Sequence, residues 1–332
     1  MNPRLRIGVG IGVTAGAALA ALMTAVTQFA AAQAPAYPAK PIRMTVASGA
    51  GGGLDFVARL VATPLTEALG KSVVVDNRAG ASGSIAADIT AHSPPDGYTL
   101  MMLSASLVVY GVVNKTPYDL FSDFDPVTQV AASPYLLGVY PGLPVKTVAD
   151  LVAYAKANPS KLNFASTGNA SLAHLAGELF AQSTGAKMVH VPYKGVGAAL
   201  TDLLSGQIQL CFLSGGSIYS QVRSGKLRAL AIASTTRAKI APELPTMIEA
   251  GVPGFVVTQW HGLLAPHGTP KPIIDRLYKE IVKAVQNPDV AARLAQDGTD
   301  GIASTPQQFA AHLKSERDQW ARVAKSANIR AD

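Results

Sequence analysis

Short apolar runs alternate along this chain with stretches whose apolar residues recur every three or four positions, the pattern of strands alternating with amphipathic helices. Met44 to Ala47 reads as a strand, and Phe56 to Leu69 as a helix that stops at Gly70. Ser72 to Asp76 and Thr99 to Leu103 repeat the strand pattern. Between them lie the turn Asn77 to Gly83, a helix through Ala91 and the turn Pro94-Pro-Asp-Gly97. Asp125 to Val130 and Tyr135 to Tyr140 are extended, and Thr147 to Ala157 is a helix closed by Asn158-Pro159. A second set follows, with strands at Leu162 to Ala165, Met188 to Val191, Gln207 to Leu213 and Leu227 to Ala233. Its helices run from Leu172 to Gln182 and from the turn Pro192-Tyr-Lys-Gly195 to Leu204. Phe255 to Thr258 and Gly262 to Ala265 flank Trp260 and His261 and lead back to the first set. The tail is helical over 272–286, 289–296 and 306–325, and reads as packing without chemistry.

Strand, short connection, helix and strand in succession predict a parallel sheet covered by helices on both faces. Ligands of such sheets sit beyond the carboxyl ends of the strands. Two connections there share one composition, a strand running into small polar residues and then a helix start: Ser48 to Leu54, and Ser166-Thr-Gly-Asn-Ala-Ser171. Backbone N–H groups at such a helix start favour a carboxylate or phosphate, and Asp55 is placed to cap the first helix. The dinucleotide fingerprint fails because Leu54 stands where its third glycine belongs after Gly49 and Gly51. Gly70-Lys71-Ser72 does not close a phosphate-binding loop either, since position 65 is Leu and the tripeptide precedes a strand. A tight turn with no ligand is the alternative reading of either connection alone.

The chain opens with Arg4 and Arg6, then an apolar run, then Ala30-Ala-Ala-Gln-Ala34, which predicts a secretory signal peptide over residues 1–34 cleaved after Ala32 or Ala34. The alternative is an uncleaved membrane anchor. Loss of Arg4 and Arg6 takes the formal charge from +7 to +5, with no acidic residue before Asp55. No run of Lys and Arg is present, so no nucleic-acid partner is expected. The single cysteine, Cys211, lies in an apolar run and reads as a core thiol. No His, Cys or carboxylate set shows metal-ligand spacing, and no cofactor is expected. The length left after the leader exceeds one comfortable core and predicts two α/β lobes.

Several stretches together resemble the Bug-type periplasmic binding proteins, the solute receptors of tripartite tricarboxylate transporters. They are Tyr37-Pro-Ala-Lys-Pro-Ile42, Gly51-Gly52-x-x-Asp55 with Val57-Ala-Arg59, Val75-Asp-Asn-Arg78, Pro95-Asp-Gly-Tyr98, Leu175-Ala-Gly-Glu178, His190-Val-Pro-Tyr-Lys-Gly195, Gly225-Lys-Leu-Arg-Ala229 and Gly262-Leu-Leu-Ala-Pro266. The resemblance implies a type II periplasmic-binding-protein fold, with lobes over 37–136 plus 259–332 and over 137–258 joined by crossover hinge strands. It further implies closure on a small carboxylate that is presented to membrane permease subunits, and it does not imply catalysis; no catalytic residue and a monomer are expected. Carried onto this chain, the ligand-binding positions are Gly51, Gly52, Ser104 and Ser106 in the first lobe. In the second they are Thr167, Gly168, Asn169, Ser171, Tyr193 and Lys194.

Three departures from the family pattern bear on the ligand. Ser48-Gly49-Ala50 replaces an aromatic residue followed by prolines, Leu54 replaces a small hydroxyl residue, and Leu213 stands where many members have an aspartate. Each enlarges the cleft or makes it less polar, so Ser48, Leu54 and Leu213 join the site and a bulky or aromatic carboxylate is expected. The rival reading is a secreted hydrolase or esterase on an α/β scaffold. It lacks a nucleophile elbow, because Gly80-Ala-Ser-Gly-Ser84 has no final glycine in register. A structural envelope protein would have no use for paired anion cradles.

Overall fold

The computed structural model describes residues 37–239 and 241–330, and the leader assigned to 1–34 lies outside them. Strand β1 (Ile42–Val46) pairs in parallel with β2 (Val73–Asn77) on one side and β3 (Thr99–Ser104) on the other. Ile42, Met44 and Val46 are fully buried, and so is Thr45, whose hydroxyl donates to Leu100 O at 3.0 Å. A strand covered on both faces needs such a partner for every polar atom. Helix α1 (Gly53–Leu69) connects β1 to β2, and α2 (Ser84–Ala91) connects β2 to β3. Gly70 ends α1 at φ +65°, where its N–H closes on Thr66 O at 3.0 Å. That left-handed backbone is what glycine supplies at little cost.

After α3 (Ala105–Val113) the chain enters β4 (Phe124–Val139), a single strand where the sequence pattern predicted two segments. Its residues 124–134 pair antiparallel with β9 (Thr258–Pro266). From Tyr135 on it pairs with β7 (Leu210–Ser214) and β8 (Arg228–Ile232). Pro126 and Pro134 interrupt the alternation that periodicity looks for; the ladder shifts register at 126–128, beside Pro126, and again at 129–131, while Pro134 pairs with Thr258 without a shift. The sheet order is β2-β1-β3-β9-β4-β7-β5-β6, with β5 (Leu162–Ser166) parallel to both β6 (Met188–Pro192) and β7. Strand β10 (Asp300–Gly301) also pairs with β4. Thus β4 is one crossing between the two halves of the sheet. The other is the backbone around Val257, which accepts from Tyr135 N and donates to Ala233 O, each at 2.9 Å.

The second half carries α4 (Val148–Ala157), α5 (Leu172–Thr184), α6 (Val196–Ser205) and α7 (Gly215–Arg223). Helix α5 lies so close on β5 that a methyl group at Gly177 would overlap the Phe164 ring. Phe180, Phe212 and Phe255 fill the core behind it, with ring centroids 5.4–6.2 Å apart. The tail forms α8 (Lys271–Gln286), α9 (Pro288–Gln296) and α10 (Pro306–Ser326). Helix α10 packs on α3 and β4, and it also reaches α5. Its buried Glu316 accepts the indole N–H groups of both Trp260 and Trp320 at 3.0 Å, tying α10 to the central strand β9. Among the described residues, those from 40 onward form one compact unit.

Candidate functional site

The carboxyl ends of β3, β5 and β7 each carry a serine and run into small polar residues: Ser104 before Ala105-Ser106, Ser166 before Thr167, and Ser214 before Gly215-Gly-Ser217. Beyond them is a cavity of about 320 Å³. Four helices start at its walls, through Gly53 of α1, Ser106 of α3, Val196 of α6, and Gly216 with Ser217 of α7. Each start brings unpaired N–H groups and the positive end of a helix dipole. No Lys or Arg is among the lining residues, so these dipoles and hydroxyls are what the walls offer an anion.

Of the positions expected from sequence, Leu54, Ser106, Thr167 and Leu213 line this cavity. The other nine lie outside its walls, and several direct their polar groups elsewhere. In the glycine-rich turn the Gly51 N–H donates to Asp55 Oδ2 at 2.9 Å. Asp55 therefore sits in the first turn of α1 and reaches back, while Gly52 is the N-cap. Burial alone would raise the Asp55 carboxyl, but hydrogen bonds from Arg59, Gly51 and Asn77 outweigh it and hold the group at about 2. Ser48 is half-buried with its hydroxyl on Gly49 O at 3.3 Å, and Ser104 is the buried N-cap of α3.

In the second turn the Gly168 N–H donates to Ser166 Oγ at 3.1 Å, and the Ser171 hydroxyl caps α5 through His174 N at 3.2 Å. The Tyr193 hydroxyl donates to Asp202 at 2.7 Å, and Asn169 and Lys194 are exposed. Beneath this turn the rings of His174 and His190 stack at 3.6 Å and 7°. Burial holds both at about 4, aided for His190 by its neighbour. Ser166 Oγ lies 2.6 Å from His190 Nε2, yet Ser166 is fully buried and has no face toward a substrate. Cys211 is buried as expected, and burial pushes its thiol up to about 12, far from a nucleophile's range.

The cavity also takes residues that the sequence did not single out. Ser133 and Tyr135 come from β4, Gln259 from β9, and Asp297 and Thr299 from the chain between α9 and β10. His261 lines it too, and its Nδ1 is buried without a hydrogen-bond partner. Burial holds that ring at about 4, so it is neutral. Ser214 and Ser217 repeat the small-residue helix start found at 48–54 and 166–171, and the same signal would have found them. Asp297 and Thr299 follow a helix end and carry no such mark.

The family model of the tripartite tricarboxylate transporter family receptor matches residues 57–329. This chain belongs to that receptor family. Protein BugT of Bordetella pertussis is 39% identical over 300 residues, 90% of this chain and 92% of BugT. Among solved structures, the R. palustris protein Rpa4515, determined with adipate, has a TM-score of 0.77 at 35% identity and covers 89% of this chain and 99% of its own. MatC (Rpa3494) from Rhodopseudomonas palustris, with bound malate, has a TM-score of 0.73 at 31% identity, covering 86% and 99%. The receptor therefore has the type II periplasmic-binding-protein fold, two α/β lobes joined by crossover strands. Among the described residues no helix is long and apolar enough to cross a membrane.

Proposed function

We propose that this receptor binds an organic carboxylate in the cavity between its lobes and hands it to the permease of a tripartite tricarboxylate-type transporter, outside the cytoplasmic membrane, as a monomer and without catalysis. The lobes are 37–136 plus 259–332, and 137–258. The observation that carries this reading is the convergence of four helix starts on one cavity whose walls include no basic side chain. Ser106 and Thr167 supply hydroxyls from the two lobes to the carboxylate. Leu54 and Leu213 supply apolar contact to the rest of the ligand, and favour a bulky or aromatic acid over a small polar one. Burying such a group contributes about 25 cal/mol per Å² of apolar surface removed from water. The adipate of Rpa4515 and the malate of MatC support the carboxylate class. Closure by bending at β4 and around Val257 excludes water from the anion, and ligand shifts the population only by its preference for the closed form.

A thermal-shift screen of residues 33–332 tests the assignment with aliphatic dicarboxylates, tricarboxylates, acidic amino acids and aromatic acids. An acid at about 100 times its dissociation constant stabilises the fold by roughly 2.7 kcal/mol. A shift with at least one acid is the expected result, largest for an aromatic one. A response confined to small polar acids removes the apolar preference, and no response to any acid overturns the receptor reading.

A further inference from the structure

Thr167 reaches the cavity from the turn 166–171, whose residues on either side of it are tied to two histidines beneath. The Ala170 N–H donates to His174 Nδ1 at 3.1 Å. Ser166 Oγ accepts the Gly168 N–H at 3.1 Å, and lies 2.9 Å from Gly168 O and 2.6 Å from His190 Nε2. One arrangement of protons satisfies every one of these contacts. His190 donates from Nε2 to Ser166 Oγ, whose own proton goes to Gly168 O, while His174 keeps its proton on Nε2 and accepts at Nδ1. That Nε2 faces Glu178 Oε1 of the same helix at 3.8 Å. The two imidazoles stack at 3.6 Å, with the Phe164 ring of β5 beside both at 5.1 and 6.3 Å.

We propose that His174 and His190 are positioning residues of the receptor: from beneath the turn they fix Ser166, Gly168 and Ala170, so that Thr167 stands at the cavity wall where a carboxylate meets it. The inference rests on the receptor reading above and extends it to two residues outside the cavity lining. The turn needs such a hold, because Gly168 is at φ +138° and Ala170, which has a side chain, is at φ +53°. A backbone of that kind persists where its surroundings over-determine it. The two lobes fix their turns with different acceptors. In the first lobe the Gly51 N–H is taken by the Asp55 carboxylate, whose charge Arg59 offsets at 2.9 Å. In the second the acceptor is an imidazole nitrogen, which takes the Ala170 N–H without setting a negative charge beneath the anion. Burial, which holds His174 at about 4, keeps that nitrogen free to accept at neutral pH. Stacking on His190 and Phe164 leaves the His174 ring little freedom to turn away.

Two substitutions at one position separate the hydrogen bond from the ring. His174→Asn places Oδ1 where Nδ1 accepts but has no ring, and His174→Phe keeps a ring on His190 but has no acceptor. Calorimetric titration at neutral pH with malate, adipate, citrate, glutamate, benzoate and terephthalate compares both variants with wild type, after near-ultraviolet circular dichroism has confirmed their folds. For an acid that wild type binds, His174→Asn should stay within about threefold of its affinity and His174→Phe should lose about tenfold or more. Undiminished binding by His174→Phe, or a loss in His174→Asn as large as in His174→Phe, overturns the inference and leaves the receptor reading standing. No binding of any of these acids by wild type overturns both. If the variants do not fold, nuclear magnetic resonance of wild type decides. A scalar coupling between the Ala170 amide nitrogen and His174 Nδ1 should be present, and the Thr167 and Gly168 amide signals should move when the acid is added. A missing coupling, or signals that stay in place while the acid binds, overturns the inference.

Discussion

The Asp55 carboxylate accepts the Gly51 N–H at 2.9 Å, so the glycine-rich turn closes on an anion of its own chain. Asn77 and Arg59 complete its shell at 2.9–3.0 Å, and the carboxylate is 3% exposed. The turn is thereby fixed while Gly53 and Leu54, one and two residues past the N-cap, remain at the cavity wall.

Because the folded carboxyl is depressed to about 2 from an ordinary 3.8, its stabilisation is present above pH 4 and lost as pH falls toward 2. Asp55→Asn should lower the unfolding free energy by about 2 kcal/mol at pH 7. Urea denaturation of both proteins at pH 7 and pH 2.5 checks this. The gap should narrow at the lower pH, and a gap that stays constant would contradict the account.

The stacked His174 and His190 rings, and His261, are neutral in the fold at about 4 against 6.5 when exposed. A depressed histidine leaves stability whole above pH 6.5 and removes it as pH falls toward 4. Each ring costs about 1.4 kcal/mol per pH unit over that window. His190→Gln should flatten the dependence of unfolding free energy on pH between 7 and 5. A wild-type protein equally stable at both values would show that the rings are solvated.

Gly216 has no room for a side chain because the Asp297 carbonyl lies against it. Gly216→Ala should force the start of α7 away from the chain between α9 and β10, weakening ligand binding at least tenfold. It should also leave the liganded protein with the radius of gyration of the free one in small-angle scattering. Wild-type affinity and compaction in the variant would show that closure does not depend on this contact.

The helix starts of the two small polar turns were legible because glycine and short hydroxyl residues after an apolar run leave few other readings. Leu54, Ser106, Thr167 and Leu213 came from that signal and from resemblance. The crossing strand was not legible, since Pro126 and Pro134 break its alternation while β9 still pairs along residues 124–134. Register between distant strands decides what faces the cavity: Ser104 pairs with His261, and Leu213 with Leu136. No local pattern encodes such pairings. Ser133 and Asp297 share the cavity wall for the same reason, with Ser133 Oγ donating to Gly298 O at 2.8 Å across 165 positions of sequence. Polar groups such as the hydroxyls of Ser171 and Tyr193 have the residue types of a binding turn, yet they serve the cap of α5 and a bond to Asp202.

In the proposed complex a carboxylate is held between Ser106 of one lobe and Thr167 of the other. Calorimetric titration of the tightest acid from the screen into wild type, Ser106→Ala with Thr167→Ala, and Ser171→Ala tests it most directly. One site should bind in wild type, the double variant should lose at least tenfold in affinity, and Ser171→Ala should keep its affinity while losing about 1 kcal/mol of stability with its helix cap. Undiminished binding by the double variant, or a loss confined to Ser171→Ala, would contradict it.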